Sequence, residues 1–382
     1  MEGIRQMARA SQAWGEQTTV ATLDAPGQPF LQDNPFACVP LGPALGSYGY
    51  SPRVVPWLRA HAGEFDAVIV NGLWQYGSFA AWRALHGTAV PYFVFPHGML
   101  DPYFKRTYPL KHIKKSLYWP WAEYRVLRDA RAVFFTCEDE RLLARESFAL
   151  YRCREVVAGF GTAPPPVGRD AGLAAFHAAF PLLAGRRIVL FLGRVHEKKG
   201  CDLLVEAFAD LAGQAPDWQL VIAGPCEAAL GRALRERAGA RGIADRITWT
   251  GMLAGTAKWG ALYAAEVFAL TSHQENFGIA VAEAMACGTP VLVSDKVNIW
   301  REIAASGAGF VAPDTREGAI GLLRRWNALD ANARGEMGRR TQACFDAHFD
   351  MRVVARGLFE KISRLIAEPG AARGGAVLGR LA

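Results

Sequence analysis

Two carboxylates eight residues apart bracket a glycine in the stretch SHQENFGIAVAEAMACGTPVLVSD, residues 272–295. VFALTSHQ just before it reads as a strand and its exit turn, and Gly278 opens a helix running to about Cys287. The first turn of a helix exposes unpaired amides and a positive dipole end, which attract phosphate. A glycine there lets the backbone approach a ligand closely. Glu275 falls in the turn and Glu283 on the second turn of the helix, one layer deeper. A ligand with phosphate at the helix start and hydroxyls on either side would meet both acids, and a sugar nucleotide has that layout. The same residues also read as an ordinary helix start with a stabilising acid and an exposed glutamate, and spacing alone leaves both readings open.

A second group lies in LGRVHEKKGCDLLVEAF, 192–208. A strand ends at Gly193, Arg194 and Lys199 follow in the loop, and a helix begins near Cys201. Arginine offers a fork of donors and lysine a point charge, a combination suited to a diphosphate. A solvated basic loop has the same composition. GxxxxGK[ST] is absent, and no GxGxxG opens a strand–helix unit, which weighs against a nucleotide-hydrolase loop and against NAD.

Both groups require strands that end at a common edge. Apolar runs alternate with helical periods along the whole chain, which predicts an α/β protein with parallel sheets. Strands are expected at 18–24, 65–72, 92–98 and 132–137, then at 187–193, 218–224, 246–251, 267–272, 290–295 and 307–313. The Gly- and Pro-rich segment 154–170 between the two sets reads as an interdomain linker. The expected organisation is a first domain over 1–160, a linker over 161–170 and a second domain over 171–348. A helix over 349–367 should pack back on the first domain, and 368–382 should be a disordered tail. Two doubly wound domains facing each other form a cleft at the carboxyl ends of their strands, where ligands bind.

Size and composition agree. With 382 residues, 51% hydrophobic and 21% charged, the chain has ample apolar surface for two cores. Seven scattered cysteines without a CxxC pair suit a reducing cytosol and argue against a disulfide framework or zinc site. No apolar run reaches the roughly 18 residues of a membrane span, and no secretory leader is expected. The net charge of +7 permits contact with phosphates or anionic lipid without choosing between them.

GRVHEKKG and the E-x7-E segment ENFGIAVAE, followed by AMACGTPVLVS, resemble the retaining glycosyltransferases of family 4. These have the GT-B fold: two Rossmann-like doubly wound domains facing across a cleft. The resemblance runs over nearly the whole chain and is strongest from about 186 to 313. It implies that Arg194 and Lys199 hold the donor diphosphate and stabilise the departing nucleoside diphosphate. It implies further that Glu275 binds the donor sugar hydroxyls, that Asn276, Phe277, Gly278 and Ile279 touch sugar and phosphate, and that Glu283 holds the ribose. Gly251, Met252 and Leu253 of TGML would lie near the base. His97 of FPHGMLDP would contact the sugar near the reacting carbon, which makes His97, Glu275, Arg194 and Lys199 the catalytic set. No metal and no cofactor are implied, because cationic side chains and a helix end neutralise the leaving group.

The family pattern is not complete here. EGIRQMARASQAWGEQTTVATLD (2–24) reads as helix then strand, whereas such a domain begins with a strand and a glycine-rich loop. The expectation is a first domain missing its first, central strand, from a reading frame that starts upstream of Met1. Asn276 stands where glycine or serine is frequent.

The acceptor should be legible in the first domain. Residues 101–131 mix Lys105, Arg106, Lys111, Lys114, Lys115, Arg125 and Arg128 with tyrosines and tryptophans, including Trp119. Basic and aromatic residues together suit an anionic membrane interface. They equally suit a solvated helix with its tryptophans in the core. The expected protein is a cytoplasmic, peripheral-membrane hexosyltransferase of surface-polysaccharide synthesis. It would use a UDP- or GDP-linked sugar and a glycan or polyprenyl-diphosphate-linked acceptor, and bind no nucleic acid. A sugar-nucleotide 2-epimerase on the same fold and a truncated non-catalytic partner are the alternatives.

Overall fold

The computed structural model describes residues 2–368. The expected tail, 368–382, lies outside them apart from its first residue. The strands are β1 (Thr19–Thr22), β2 (Ala37–Pro40), β3 (Val68–Asn71), β4 (Tyr92–Phe95), β5 (Ala132–Phe135) and β6 (Glu155–Val157) in the first half. In the second half they are β7 (Arg187–Leu192), β8 (Trp218–Ala223), β9 (Ile247–Gly251), β10 (Ala265–Leu270), β11 (Val291–Ser294) and β12 (Gly309–Ala312). The first half carries helices α1 (Glu2–Gln12), α2 (Val54–His61), α3 (Tyr76–Leu85), α4 (Tyr103–Thr107), α5 (Pro109–Tyr118), α6 (Glu123–Asp129) and α7 (Glu138–Ala144). The second carries α8 (Arg169–Ala179), α9 (Cys201–Leu211), α10 (Ala228–Ala240), α11 (Gly255–Ala264), α12 (Ile279–Ala286), α13 (Trp300–Ser306), α14 (Arg316–Asn327), α15 (Ala331–His348) and α16 (Met351–Ala367).

The C-terminal domain is a six-stranded parallel sheet in the order β12-β11-β10-β7-β8-β9. Its central strands are continuous apolar runs, as a sheet covered on both faces requires: Val189, Leu190 and Phe191 of β7 and Val267, Phe268 and Ala269 of β10 are buried. The order reverses at β7, so the loops after β7 and β10 leave neighbouring strands at the switch point, where ligands bind in open α/β sheets.

In the N-terminal domain β3, β4, β5 and β6 form a four-stranded parallel sheet, while β1 and β2 pair only with each other. The domain expected to lack its central first strand thus holds two separate sheets, β1-β2 and β3-β4-β5-β6. Strand β6 falls inside the segment expected to be linker: Glu155–Val157 pairs with Val133–Phe135, leaving the connection to begin after it. The proline and glycines that suggested a linker follow those three residues, and a three-residue strand gives too little period to detect. Strand β2 escaped for a similar reason, since ACVP is short and ends in proline.

The two faces of the N-terminal sheet are covered differently. Tyr92, Val94, Val133 and Phe135 pack against α2, α3 and α6. The alternate residues Phe93, Phe95, Ala132 and Phe134 meet Leu358, Ile362 and Leu365 of α16, following the period of two along a strand. The rings of Phe93 and Phe134 stack 5.0 Å apart. The last helix of the chain thus completes the core of the first domain. Its return is pinned where the connection between the domains runs beside it: Thr162 N donates to Phe349 O at 3.0 Å and Met351 N to Thr162 O at 3.0 Å.

Because Leu358 is buried against N-terminal phenylalanines, Leu358→Ala is expected to remove about 2–5 kcal/mol of stability. A lower urea midpoint by tryptophan fluorescence, with no change in secondary structure, checks this.

Candidate functional site

The loop after β7 and the turn after β10 are stitched together by backbone. Gly200 has φ +62°, and a Cβ there would sit 2.0 Å from Thr271 O, so only glycine allows the approach. Thr271 Oγ1 donates to Gly200 O at 2.7 Å and His273 N to Lys198 O at 2.8 Å. The Glu275 backbone is held from the other side: its N–H donates to Lys296 O at 2.9 Å, and Asn298 N donates to its carbonyl at 3.0 Å. These contacts leave the Lys199 ammonium in a direct ion pair with the Glu275 carboxylate. Burial pushes Lys199 down to about 8, with Lys198 and Arg194 adding like charge.

Gly278 follows at φ +78° and precedes α12; an added Cβ would meet Val281 Cγ2 at 3.1 Å. The amides of that helix start border a cavity of about 410 Å³ between the domains. Its lining includes His97 and Thr136 from the first domain, Lys199 from the β7 loop, and Glu275, Asn276, Phe277, Gly278 and Ile279. Asn276 Oδ1 is buried without a hydrogen-bond partner among the described residues.

His97 takes φ +50°, a conformation uncommon outside glycine. Its Nε2 lies 2.9 Å from Asn71 Oδ1 and its ring stacks on Phe95 at 5.3 Å. Burial lowers it to about 4, so the imidazole is neutral near pH 7. With Nε2–H donating to Asn71, Nδ1 is unprotonated.

The turn that carries His97 hangs on a carboxylate that the sequence did not single out. Glu140, buried on α7, accepts from Gly98 N at 2.5 Å, Thr136 N at 2.7 Å and Thr136 Oγ1 at 2.6 Å. Thr136 in turn receives Asn276 Nδ2 across the cleft at 3.2 Å, and Gln274 Nε2 reaches Asp101 Oδ2 at 3.0 Å. Phe160, from the connection between domains, closes one side edge-on to Phe277 at 5.2 Å. Thr136, Glu140, Asn71 and Asp101 stand at strand ends or just beyond them, which was the available signal; their partners are far away in sequence.

Other expected site residues lie elsewhere. Arg194 is exposed in the β7 loop, makes no hydrogen bond or ion pair among the described residues, and does not line the cavity, although its charge reaches Lys198 and Lys199. Glu283 is buried on α12 and pairs with Lys258 of α11 at 2.6 Å, a partner the sequence reading missed. Gly251 ends β9 at the edge of the sheet and Met252 and Leu253 follow it, none of them lining the cavity, with Met252 76% exposed. Lys105, Arg106, Lys111 and Lys114 are exposed on α4 and α5. Two of that group are corrected. Trp119 is a core residue, 2% exposed, stacked on Phe148 at 4.5 Å and donating to Ala149 O at 2.8 Å. Lys115 turns inward over the Trp74 ring at 4.3 Å.

Comparisons with known proteins bear on the domains and the fold. The family model described as glycosyl transferases group 1 matches residues 175–342. The glycosyl transferase 4-like domain matches residues 2–161. The chain is 34% identical over 230 residues to the D-inositol 3-phosphate glycosyltransferase of Nocardia farcinica, which covers 56% of this chain and 48% of that protein. It thus spans about half or less of the length of the curated relatives it matches. The fold matches sucrose-phosphate synthase from Thermosynechococcus elongatus with TM-score 0.74 and 22% identity, over 95% of this chain and 92% of that one. It also matches Anabaena HepE in complex with UDP and glucose, with TM-score 0.71 and 16% identity, over 95% and 96% of the two chains. The architecture is GT-B.

Gly200→Ala would force both a strained φ and a backbone clash at the loop junction. It is expected to lower the melting temperature by several degrees and to weaken pyrophosphate binding more than tenfold by calorimetry, with circular dichroism unchanged.

Proposed function

We propose, from the match of residues 2–161 and 175–342 to the glycosyl transferase 4-like and glycosyl transferases group 1 models, that this chain is a hexosyltransferase. It moves a hexosyl group from a UDP- or GDP-linked donor to a glycan or polyprenyl-diphosphate-linked acceptor. The observation that carries the reading is the Lys199–Glu275 pair at the start of α12, inside the interdomain cavity. In the free protein the two charges neutralise each other. An arriving diphosphate takes the ammonium of Lys199 and the amides of α12, and releases the Glu275 carboxylate to accept from sugar hydroxyls. Arg194, unpaired in the same loop, swings to the diphosphate as the second cation. Negative charge grows on the leaving phosphate as the glycosidic bond breaks, and these fixed donors stabilise it most at that point. Neutral His97 accepts a hydrogen bond from a sugar hydroxyl at Nδ1 without competing for the phosphate. Glu283, already screened by Lys258, is the group we assign to the ribose.

The reading asks for no metal, since the loop cations and helix end meet the diphosphate charge. It takes anomeric retention from the family. The names of the curated relatives favour a second acceptor class, a phosphorylated polyol. The charged surface described below favours a lipid-linked acceptor on the cytoplasmic membrane face in surface-polysaccharide assembly.

A donor screen by nucleotide release tests the proposal, with release that needs acceptor separating transfer from epimerisation. Arg194→Ala and Glu275→Ala are expected to lower turnover by about 10²–10³-fold; the melting temperature stays within a few degrees in the first and falls further in the second, which leaves the Lys199 ammonium without its carboxylate. Near-normal turnover in either folded variant overturns the assignment.

The ionisation of Lys199 sets a pH limb. Diphosphate binds the protonated ammonium, so donor kcat/KM is full below pH 8 and falls as pH rises through about 8, by up to about tenfold per pH unit. Lys199→Met is expected to bind donor weakly at every pH and to lose that limb.

A further inference from the structure

Helix α5 carries an apolar stripe that nothing in the fold covers. Leu110 is 81% exposed, Ile113 58% and Leu117 73%, and Trp121 in the turn that follows is 69% exposed. At about 100° per residue, the three aliphatic side chains fall within about 60° of one another, and Trp121 extends the line. The opposite face is anchored to the domain. His112 stacks on Phe148 at 4.6 Å, Lys115 lies over Trp74, and the hydroxyls of Tyr118 and Tyr48 hydrogen-bond. The stripe is therefore the outer face of a held helix, and large exposed apolar patches mark interaction sites.

Charge decides the kind of partner. Residues 103–118 contain Lys105, Arg106, Lys111, Lys114 and Lys115 and no acidic residue. Lys114 and Lys111 lie along one side of the stripe, about 40° and 100° round from Leu110. A second copy of this face would oppose the same cations, so self-association through it is disfavoured. An aliphatic stripe ending in a tryptophan and edged by lysines is the pattern of a helix lying in the interface of an anionic bilayer.

We propose that the α5 face, with Leu110, Ile113, Leu117 and Trp121 inserted and Lys111 and Lys114 at the headgroups, docks this protein on an anionic membrane. Its position gives the docking a purpose. The segment leading into α4 and α5 begins at Asp101, which takes the cross-domain hydrogen bond from Gln274 beside Glu275. An acceptor headgroup carried by a lipid therefore reaches the cleft from the surface on which α5 rests. The membrane proposal stands independently of the donor chemistry, because binding to lipid needs no nucleotide.

The test is flotation of the full chain with vesicles of phosphatidylcholine alone or mixed with phosphatidylglycerol, at low and high salt. Wild type is expected to float with the mixed vesicles at low salt and to stay behind with neutral ones. Leu110→Ser/Leu117→Ser should lower partitioning by about tenfold or more for each leucine, and Lys111→Gln/Lys114→Gln by about fivefold for each lysine. Thermal shifts with UDP and GDP should be unaltered in the serine variant, which reports the donor site separately. Equal partitioning of wild type and the serine variant overturns the proposal, as does failure of wild type to float. A wild-type dimer in light scattering that the serine variant abolishes, without vesicle binding, would make the face a self-association surface and equally overturn it.

Discussion

The close passage of two backbones at Gly200 and Thr271 governs the site. The loop after β7 carries Arg194, Lys198 and Lys199, and the turn after β10 carries Glu275 and leads into α12. Neither segment alone fixes where a lysine side chain ends. The absence of a Cβ at residue 200 lets Thr271 Oγ1 and His273 N bind the loop's carbonyls directly. Lys199 and Glu275 then meet although 76 residues separate them. Each is mostly buried, and burying one without the other would leave an uncompensated charge, which is costly. The pairing keeps the empty site stable, and it is an interaction that an anionic ligand can exchange for its own.

A second carboxylate plays the corresponding part in the facing domain, by a different physical route. Glu140 is buried and has no cationic partner of its own. It is held by three short donors from Gly98 and Thr136. Desolvation raises its proton affinity, and these hydrogen bonds oppose that rise. The result is a rigid turn that presents His97 in an unusual backbone conformation, and a threonine whose hydroxyl meets Asn276 across the cleft. The two halves of the cavity are thus built from opposite solutions to buried charge: an ion pair on one side, hydrogen bonds to backbone on the other.

Helices α4 and α5 show how one composition serves two environments. Their aromatic and basic residues do not form one surface. Tyr118, Trp119 and Lys115 turn inward to Tyr48, Phe148 and Trp74, while Leu110, Ile113 and Leu117 point out. Of the aromatic residues that suggested a membrane interface, Trp119 is core while Tyr108 and Trp121 are exposed, and the aliphatic residues, which drew no attention, form most of the outer face. The polarity of a helical segment is decided by the angle at which it meets its domain, and composition carries no such angle.

The sequence by itself determined the class of fold and the two chemical segments. Long apolar runs at regular intervals are satisfied by parallel strands under helices, and the two segments stood out through their joint resemblance to one family rather than through either alone. GRVHEKKG and the E-x7-E segment therefore found their places at adjacent strand ends. What local pattern could not reach was set by contacts between distant segments. These include the pairing of Glu283 with Lys258, the burial of Trp119, Glu140 under the His97 turn, β6 inside an expected linker, and the gap that leaves β1 and β2 apart from the other strands. Periodicity reports which face of an element is apolar. Which other element covers that face, and which buried charge finds a counter-ion, depends on chain segments tens of residues or more apart coming within a few ångströms, and only the folded molecule specifies that.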